Sequence, residues 1–261
     1  MNRQQIQYFR RGAAAWLSLP ALLLTGCLSD VNSAFHPDES PAVIRTEQVG
    51  GLVVADTRFG TIYAAGLNSN ADGTCLIVDF TYNASDPANT NYGQTGYYTV
   101  TLKKQTPVDQ ADAGPSDLKT DQLLPYEQPI RAAISPQAPH LFAYLADRLF
   151  LPSVYITATG QQVNWQFTYP SAPVAEQIDG QSVYPLYLRA NATAAPAEGA
   201  RDTTLTAVHA FNMLPFIEEL RGRNQWNGRD NLYISVHYIE AINAADSTDF
   251  TWVATEPVQI R

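Results

Sequence analysis

The chain has 261 residues, with 45% hydrophobic and 11% aromatic side chains, which is the composition of a globular protein and excludes a disordered one. Its 25 acidic side chains outnumber the 16 lysines and arginines, so the formal net charge is −9. This negative charge argues against nucleic acid as a partner and against adhesion to anionic membranes by charge, because both need clustered basic residues.

A basic head and a short apolar run open the chain. Arg3, Arg10 and Arg11 precede the apolar run from Ala13 to Leu24, which is too short to span a hydrocarbon core of roughly 30 Å. The run therefore predicts a cleaved export signal, with a single-pass membrane anchor as the alternative.

The apolar run ends in Leu24-Thr25-Gly26-Cys27, which resembles the lipobox of bacterial lipoproteins. The resemblance implies that residues 1–26 are a signal peptide and that Cys27 becomes the first residue, carrying acyl chains such as palmitate. The membrane is then a partner through this lipid. Leu28 stands where an aspartate would retain a lipoprotein in the inner membrane. We therefore expect the outer membrane of a Gram-negative bacterium, on its periplasmic or its surface-exposed face.

The residues after the lipobox show neither a helical nor a strand period, and they predict a flexible tether over residues 27–44. Runs rich in β-branched and aromatic residues follow, separated by Gly, Asn, Asp and Pro, so the chain is predicted to be mainly β. Five strands would suffice for a small barrel over residues 45–112. Four of these runs are Val49–Ala55, Thr61–Ala65, Thr74–Tyr82 and Gly96–Lys103.

A polar segment from Thr106 to Gln122 predicts the boundary to a second domain, a β-sandwich over residues 113–261. Apolar residues spaced by three and four predict one short helix over 139–150, and Pro215–Leu220 predicts a helical turn. The remaining runs predict strands in which Trp165, Phe167 and Tyr169 share one covered face. These strands are Val154–Thr159, Gln162–Tyr169, Val183–Ala190, Thr203–Phe211, Asn231–Glu240 and Phe250–Ala254.

The order of these features resembles the NigD-like lipoproteins. The resemblance rests on the lipobox, on the strands Cys75-Leu76-Ile77-Val78-Asp79-Phe80-Thr81-Tyr82 and Gly96-Tyr97-Tyr98-Thr99-Val100, and on Ala210-Phe211-Asn212-Met213-Leu214-Pro215 followed by Asn231-Leu232-Tyr233-Ile234-Ser235-Val236. It implies an N-terminal oligonucleotide/oligosaccharide-binding (OB) barrel and a C-terminal β-sandwich. It implies no known enzymatic activity.

The sequence contains no nucleophile elbow, zinc helix or phosphate-binding glycine loop, so no catalytic residue and no cofactor is predicted. Cys75 lacks a basic neighbour in the sequence and is interpreted as a small buried thiol. A surface-anchored hydrolase acting on a polysaccharide or peptide without a recognisable motif is the alternative, with a carboxylate or His237 as its catalytic group.

Two patterns have metal-like spacing. Asn68, Asn70, Asp72 and Asp79 copy the oxygen spacing of a calcium loop, but a hairpin turn explains the same residues. His237 and Glu240 are three residues apart, and on a strand this spacing puts them on opposite faces. No metal site is therefore predicted.

Aromatic residues outnumber what a core of this size needs. Tyr82, Tyr92, Tyr97 and Tyr98 cluster around one loop, and Trp226 lies in a polar turn. Exposed tyrosine and tryptophan rings bind sugar rings or partner proteins, although β-sheets also use such residues structurally. The sequence thus predicts a noncatalytic binding or assembly role in the cell envelope, with Tyr92, Tyr97, Tyr98 and Trp226 as ligand-binding residues and a glycan or an envelope protein as the ligand.

Overall fold

Strands dominate the computed structural model, which describes residues 34–35, 37–48, 50–116, 121–243 and 249–260. Cys27 and the first part of the predicted tether lie outside these residues. Within the described part, no helix is long and apolar enough to cross a membrane.

The N-terminal part is a closed five-stranded barrel. Its elements are β1 (Ala34–Phe35), β2 (Ser40–Thr46), β3 (Val53–Thr57), β4 (Gly60–Tyr63), β5 (Cys75–Asn83), α1 (Tyr92–Thr95) and β6 (Tyr98–Pro107). The order β2-β3-β4-β6-β5 returns to β2, with β4 and β6 parallel and the other pairs antiparallel. β1 pairs with the end of β5. A small five-stranded barrel of this kind is the predicted OB fold.

Strand β5 shows how the sequence builds the barrel core. Leu76, Val78 and Phe80 are at most 2% exposed, whereas Ile77 and Asp79 between them are half-buried. This period of two turns every second side chain into the barrel. The strand was predicted from the β-branched and aromatic residues of Thr74–Tyr82.

The predicted tether ends earlier than expected. Residues 40–44 belong to β2, where Ala42, Val43 and Ile44 are at most 4% exposed. Ser40 and Pro41 are typical of loops, but Ser40 is also buried and begins the strand. The prediction of a tether through residue 44 is therefore wrong, because three apolar residues suffice for a strand when both neighbouring strands are present.

Two further sheets form the C-terminal part. In chain order, their elements are β7 (Asp109–Asp112), β8 (Gly114–Pro115), β9 (Ile130–Ala132), β10 (Ala143–Leu145), β11 (Arg148–Ala158), β12 (Val163–Tyr169), β13 (Glu176–Ile178), β14 (Gln181–Ala192), β15 (Asp202–Asn212), α2 (Leu214–Gly222), β16 (Tyr233–Ile242), β17 (Phe250–Ala254) and β18 (Val258–Gln259). One sheet has the order β10-β11-β15-β7, with β9 also on β11. The other has the order β17-β16-β14-β12-β8, with β13 on β14 and β18 on β16.

The core of this part lies between the two sheets and under α2. Phe167 and Tyr169 of β12 are at most 3% exposed and belong to one buried cluster with Phe211 and Phe216. Trp165 packs at its margin. The predicted covered face of this strand and the predicted sandwich are thus confirmed, and α2 confirms the helical turn predicted at Pro215–Leu220.

The helix predicted over 139–150 is wrong. A 3₁₀ turn occupies Pro139–Leu141, and β10 and β11 then form a hairpin. Its two turn residues, Ala146 and Asp147, have φ angles of 44° and 60°, the left-handed values that a two-residue hairpin loop needs. The pair lacks the glycine that usually marks such a loop, and the apolar residues of the two strands have a spacing that resembles that of a helix.

The predicted boundary segment is also more structured than expected. Within Thr106–Gln122, β7 pairs with β15 and β8 pairs with β12. The strands of the barrel therefore end at Pro107, and β7 joins the sandwich, although the predicted boundary at 112 assigns it to the barrel. The division of the chain into two domains stays a prediction.

A small apolar cluster joins the barrel strands to the sandwich. Its buried members are Val43, Cys75, Val108, Ala143, Phe150 and Ala210. Cys75 is fully buried, as the sequence predicts, and this burial raises the pKa of its thiol to about 11. The thiol therefore stays protonated at neutral pH.

One buried ion pair fixes the segment that precedes β9. The side chains of Arg189 and Glu127 are 3% and 1% exposed, and Arg189 Nε donates to Glu127 Oε1 at 2.8 Å. Arg189 Nη2 also donates to the carbonyl oxygen of Gln122 at 2.6 Å, and the Leu124 amide donates to Glu127 Oε2 at 2.6 Å. The two charges thus hold this segment against β14.

Candidate functional site

A cavity of about 240 Å³ opens at one end of the barrel. We name it the barrel-mouth pocket. Apolar and aromatic residues from four strands and one turn line it: Phe35, Phe59, Ile62, Phe80, Tyr82, Tyr98 and Val100. Phe35 belongs to this lining because β1 places it opposite Tyr82 of β5.

The rings around the barrel-mouth pocket contact one another. Phe59 packs edge-on against Phe35 and Phe80, with centroid distances of 5.1 and 6.4 Å. Tyr98 packs edge-on against Tyr82 at 4.9 Å and is stacked on Tyr92 at 4.0 Å, with 12° between the planes. These edge-on and stacked contacts fix the rings relative to one another.

The turn between β3 and β4 places Arg58 and Phe59 at the mouth of the barrel. Thr57 Oγ1 donates to the Gly60 carbonyl oxygen at 2.8 Å and accepts from the Phe59 amide at 3.1 Å. Gly60 has a φ of 109°, which favours glycine, and a Cβ there would lie 3.5 Å from the Tyr98 ring. The tight turn leaves Arg58 exposed, with its guanidinium 4.7 Å from the centroid of Phe59.

A buried asparagine shapes the loop that carries Tyr92. Asn89 is 7% exposed, and its Nδ2 donates to the carbonyl oxygens of Asn83 and Thr99 at 2.9 and 3.0 Å. Its Oδ1 accepts from the Thr99 amide at 2.7 Å. Asn89 therefore ties the loop to the ends of β5 and β6. Its role could not be predicted from the sequence, because nothing in a polar loop distinguishes the one asparagine that turns inward.

The four predicted ligand-binding residues separate into three places. Tyr92 and Tyr98 meet at the barrel-mouth pocket, whereas Tyr97 packs against Tyr63, with a centroid distance of 5.7 Å. Trp226 is 7% exposed. The prediction of an exposed ring at Trp226 is wrong, since its Nε1 donates to the Asp230 carbonyl oxygen at 2.8 Å and its ring joins the core of the sandwich.

The turn around Trp226 borders a polar groove of about 670 Å³. Some of its polar groups bond to one another: Asn227 Nδ2 donates to Asp230 Oδ2 at 2.7 Å, and the Tyr184 hydroxyl donates to the Gln225 carbonyl oxygen at 3.1 Å. The second of these bonds holds the turn against β14.

Three of the four residues with calcium-loop spacing form internal side-chain hydrogen bonds. Asp72 Oδ1 accepts from the Thr46 amide at 2.7 Å, and Asp79 Oδ1 accepts from the Glu39 amide at 2.6 Å. Asn70 Nδ2 donates to the Leu67 carbonyl oxygen at 3.0 Å. Across the described residues, no group of three His, Cys, Asp or Glu side chains has the geometry of a metal site.

The fold is an OB-type barrel in the N-terminal part, with the pocket at one end of it, followed by a β-sandwich. Residues 32–106 match the family model described as a lipoprotein OB domain. A comparison with curated proteins found no match.

Solved structures extend the likeness over most of the chain. An uncharacterized protein from Parabacteroides merdae ATCC 43184 is 20% identical, with a TM-score of 0.71, and the match covers 86% of this chain and 100% of that one. A candidate lipoprotein from Bacteroides fragilis NCTC 9343 is 12% identical, with a TM-score of 0.59, over 87% and 98% of the two chains. At these identities, the matches show the fold alone.

A NigD-like immunity protein from Bacteroides caccae ATCC 43185 is also among the similar structures. It is 10% identical, and the match covers 87% of this chain and 94% of that one, with a TM-score of 0.44. A TM-score this low supports no further argument.

Proposed function

We propose that this protein is a noncatalytic lipoprotein of the cell envelope that binds a protein partner through the barrel-mouth pocket. The observation that carries the proposal is the wall of contacting aromatic rings around a cavity that is open to solvent. Phe35 and Tyr92 at its rim are 46% and 37% exposed. Covering such rings with a partner removes apolar surface from water, which favours association.

The size and lining of the pocket favour a side chain of a partner protein over a small molecule as the ligand. Its volume of about 240 Å³ is below the roughly 300 to 1,000 Å³ of small-molecule sites. Among the lining residues, Tyr82 and Tyr98 supply the polar side-chain atoms. A glycan needs several directed hydrogen bonds, whereas an apolar side chain at the centre of a protein interface needs a fixed apolar pocket. Of the two predicted ligand classes, a protein partner therefore fits better.

The negative charge of the chain also favours a protein over a nucleic acid as the ligand of the pocket. OB folds bind oligonucleotides with the loop between their fourth and fifth strands, and here that loop carries Tyr92. The chain, however, has a formal net charge of −9, and among the described residues one cation, Arg58, lies over a lining ring, that of Phe59. A protein that binds the phosphate backbone of a nucleic acid needs several clustered cations. An arginine beside aromatic rings is instead common in protein interfaces.

The predicted lipid anchor would hold the mouth near the membrane. Cys27 and Phe35 are eight residues apart, and a fully extended chain of that length spans at most about 29 Å. A partner in the same membrane, or close to its surface, is therefore within reach of the pocket. The description of the matched family as a lipoprotein domain supports this anchoring, and Leu28 supports sorting to the outer membrane.

We expect protein extracted from membranes to begin at Cys27 and to carry acyl chains. The lipobox and the basic head are the reason, and mass spectrometry of the N-terminal peptide is the measurement. The Cys27→Ala variant should accumulate as a precursor that begins at Met1. A wild-type protein with an intact Met1 terminus would overturn the lipid anchor while leaving the binding role of the pocket untouched.

The alternative of a hydrolase finds little support at His237. Its Nε2 lies 3.1 Å from Ser235 Oγ, and burial lowers the pKa of the imidazole, partly offset by Glu176. A serine beside a histidine is the arrangement of a nucleophile and its base. Ser235, however, is only 2% exposed, so its hydroxyl has no access to a substrate. The contact between Ser235 and His237 is therefore better explained as a structural hydrogen bond than as a catalytic pair.

A peptide selection tests what the pocket binds. We expect displayed random peptides that bind the membrane-extracted protein to share one aromatic or branched aliphatic residue. Replacing that residue with alanine should weaken binding by about 2 kcal/mol or more, as for anchor residues at protein interfaces. Selected peptides whose affinity depends on charged residues alone would contradict the proposal.

A further inference from the structure

A second cavity, of about 420 Å³, opens at one edge of the sandwich and shares no lining residue with the barrel-mouth pocket. We name it the edge pocket. Its lining is Asp109, Gln110, Ala111, Val163, Asn164, Trp165, His209 and Phe211. The pocket lies where β7, the last strand of one sheet, approaches β12 of the other.

Strand register places an acid beside a histidine in the edge pocket. β7 runs parallel to β15, with Asp109 opposite His209 and Ala111 opposite Phe211. Residues opposite each other on neighbouring strands project from the same face of a sheet. Asp109 and His209 therefore share the face that meets Trp165 of β12. Asp109 is exposed at the rim, and His209 is buried behind it.

Trp165 is a fixed wall of the edge pocket. Its ring lies 4.5 Å from the His209 ring, with 31° between the planes, and meets Tyr155 edge-on at 5.1 Å. These two contacts hold the indole in one orientation. A ligand that enters the pocket therefore meets an aromatic surface that needs no rearrangement.

His209 carries a polar atom that the fold does not use. The residue is 8% exposed, and no described residue forms a hydrogen bond with its Nε2. Buried polar atoms are normally hydrogen-bonded, so an unbonded one in a residue that lines a cavity indicates a partner from outside the chain. Burial lowers the pKa of His209 to about 4, with Asp109 opposing the shift, so the ring is neutral at pH 7. A neutral imidazole offers one donor and one acceptor.

We propose that the edge pocket binds a neutral sugar residue. The apolar face of the sugar packs on Trp165, the Asp109 carboxylate accepts hydrogen bonds from its hydroxyls, and a further hydroxyl pairs with Nε2 of His209. That last bond requires a small rotation of the imidazole, because Nε2 is covered in the free protein. The volume lies within the range of small-molecule sites, unlike that of the barrel-mouth pocket.

The same groups disfavour charged ligands. Asp109 repels an anion at the rim of the pocket. An organic cation would pair with Asp109 and Trp165 but would leave Nε2 of His209 without a partner. A ligand that has both an apolar face and several hydroxyls satisfies all three residues.

Saturation-transfer NMR on the membrane-extracted protein tests this inference. The probes are the methyl glycosides of glucose, galactose, mannose and N-acetylglucosamine, with choline as a cationic probe. We expect at least one glycoside to bind with a dissociation constant below about 10 mM. Asp109→Asn, a change at an exposed position, should weaken that binding about tenfold or more. Trp165→Leu should also weaken it, in a protein whose circular dichroism is unchanged.

Tyr98→Ala is the matched control. It alters the barrel-mouth pocket and should leave glycoside binding unchanged, so failure of this inference is distinguishable from failure of the proposed function. Binding of choline in place of the glycosides, no glycoside binding at about 10 mM, or equal affinity in Asp109→Asn would each overturn the inference.

Discussion

Glu127→Ala is expected to lower the free energy of unfolding by about 3 to 5 kcal/mol, the usual cost of removing one partner of a buried ion pair. The substitution leaves the guanidinium of Arg189 buried without its carboxylate, and the Leu124 amide also loses its acceptor. Arg189 retains the Gln122 carbonyl oxygen and its position over the Trp252 ring, 5.8 Å from the centroid. Neither group neutralises the charge. Urea unfolding followed by circular dichroism measures the loss.

Glu219→Ala is the control for this prediction. Glu219 also pairs with an arginine, Arg223, but both side chains are more than a third exposed, so we expect a loss of at most about 0.5 kcal/mol. Replacing both buried partners, as Glu127→Leu with Arg189→Met, should recover part of the stability, because no charge is then buried. A loss below about 1 kcal/mol in Glu127→Ala would show that Arg189 reaches water when its partner is removed.

Acid is expected to destabilise the fold through His209. Burial lowers the pKa of this imidazole to about 4 in the folded state, against about 6.5 when the chain is unfolded. Between these values, the unfolded chain binds a proton that the folded chain does not. The stability that His209 contributes is therefore complete above pH 6.5 and is lost as the pH falls towards 4, by about 2 to 4 kcal/mol in total.

The measurement is the free energy of unfolding at pH 7.0 and pH 4.5 in the wild type and in His209→Gln, whose amide does not titrate. Carboxylates contribute to the pH dependence of both proteins, so the difference between the two pH dependences isolates the histidine. We expect the wild type to lose about 2 kcal/mol more than the variant over this interval. His140→Gln, a change at a half-exposed histidine, is the control. Equal pH dependence in wild type and His209→Gln would contradict the burial of a neutral ring.

The elements that could be predicted are those whose pattern is visible within one stretch of the sequence. The run from Cys75 to Tyr82 is rich in β-branched and aromatic residues, so β5 could be predicted without its neighbours. The hairpin at Ala146 and Asp147 could not, because left-handed angles at residues other than glycine follow from the strands on either side. Ala42 to Ile44 were likewise too short a run to indicate β2 without the strands that flank it.

The residues of the candidate site could also be predicted only in part. Tyr92 and Tyr98 were predicted because four tyrosines crowd one stretch of sequence. Phe35 and Phe59 stand alone in the sequence and reach the pocket only through strand pairing and a tight turn. Trp226 was misplaced because its polar neighbours in the sequence predict exposure, whereas its burial is decided by contacts with distant parts of the sandwich.

The central claim, that the barrel-mouth pocket binds a partner, is tested most directly by two neighbouring tyrosines. Tyr98 lines the pocket, whereas Tyr97 packs against Tyr63 outside it. Calorimetry with a selected peptide should show that Tyr98→Ala weakens binding by about 2 kcal/mol or more, roughly 30-fold, and that Tyr97→Ala changes it by less than about 0.5 kcal/mol. Equal effects of the two substitutions, or unchanged affinity in Tyr98→Ala, would contradict the proposed function.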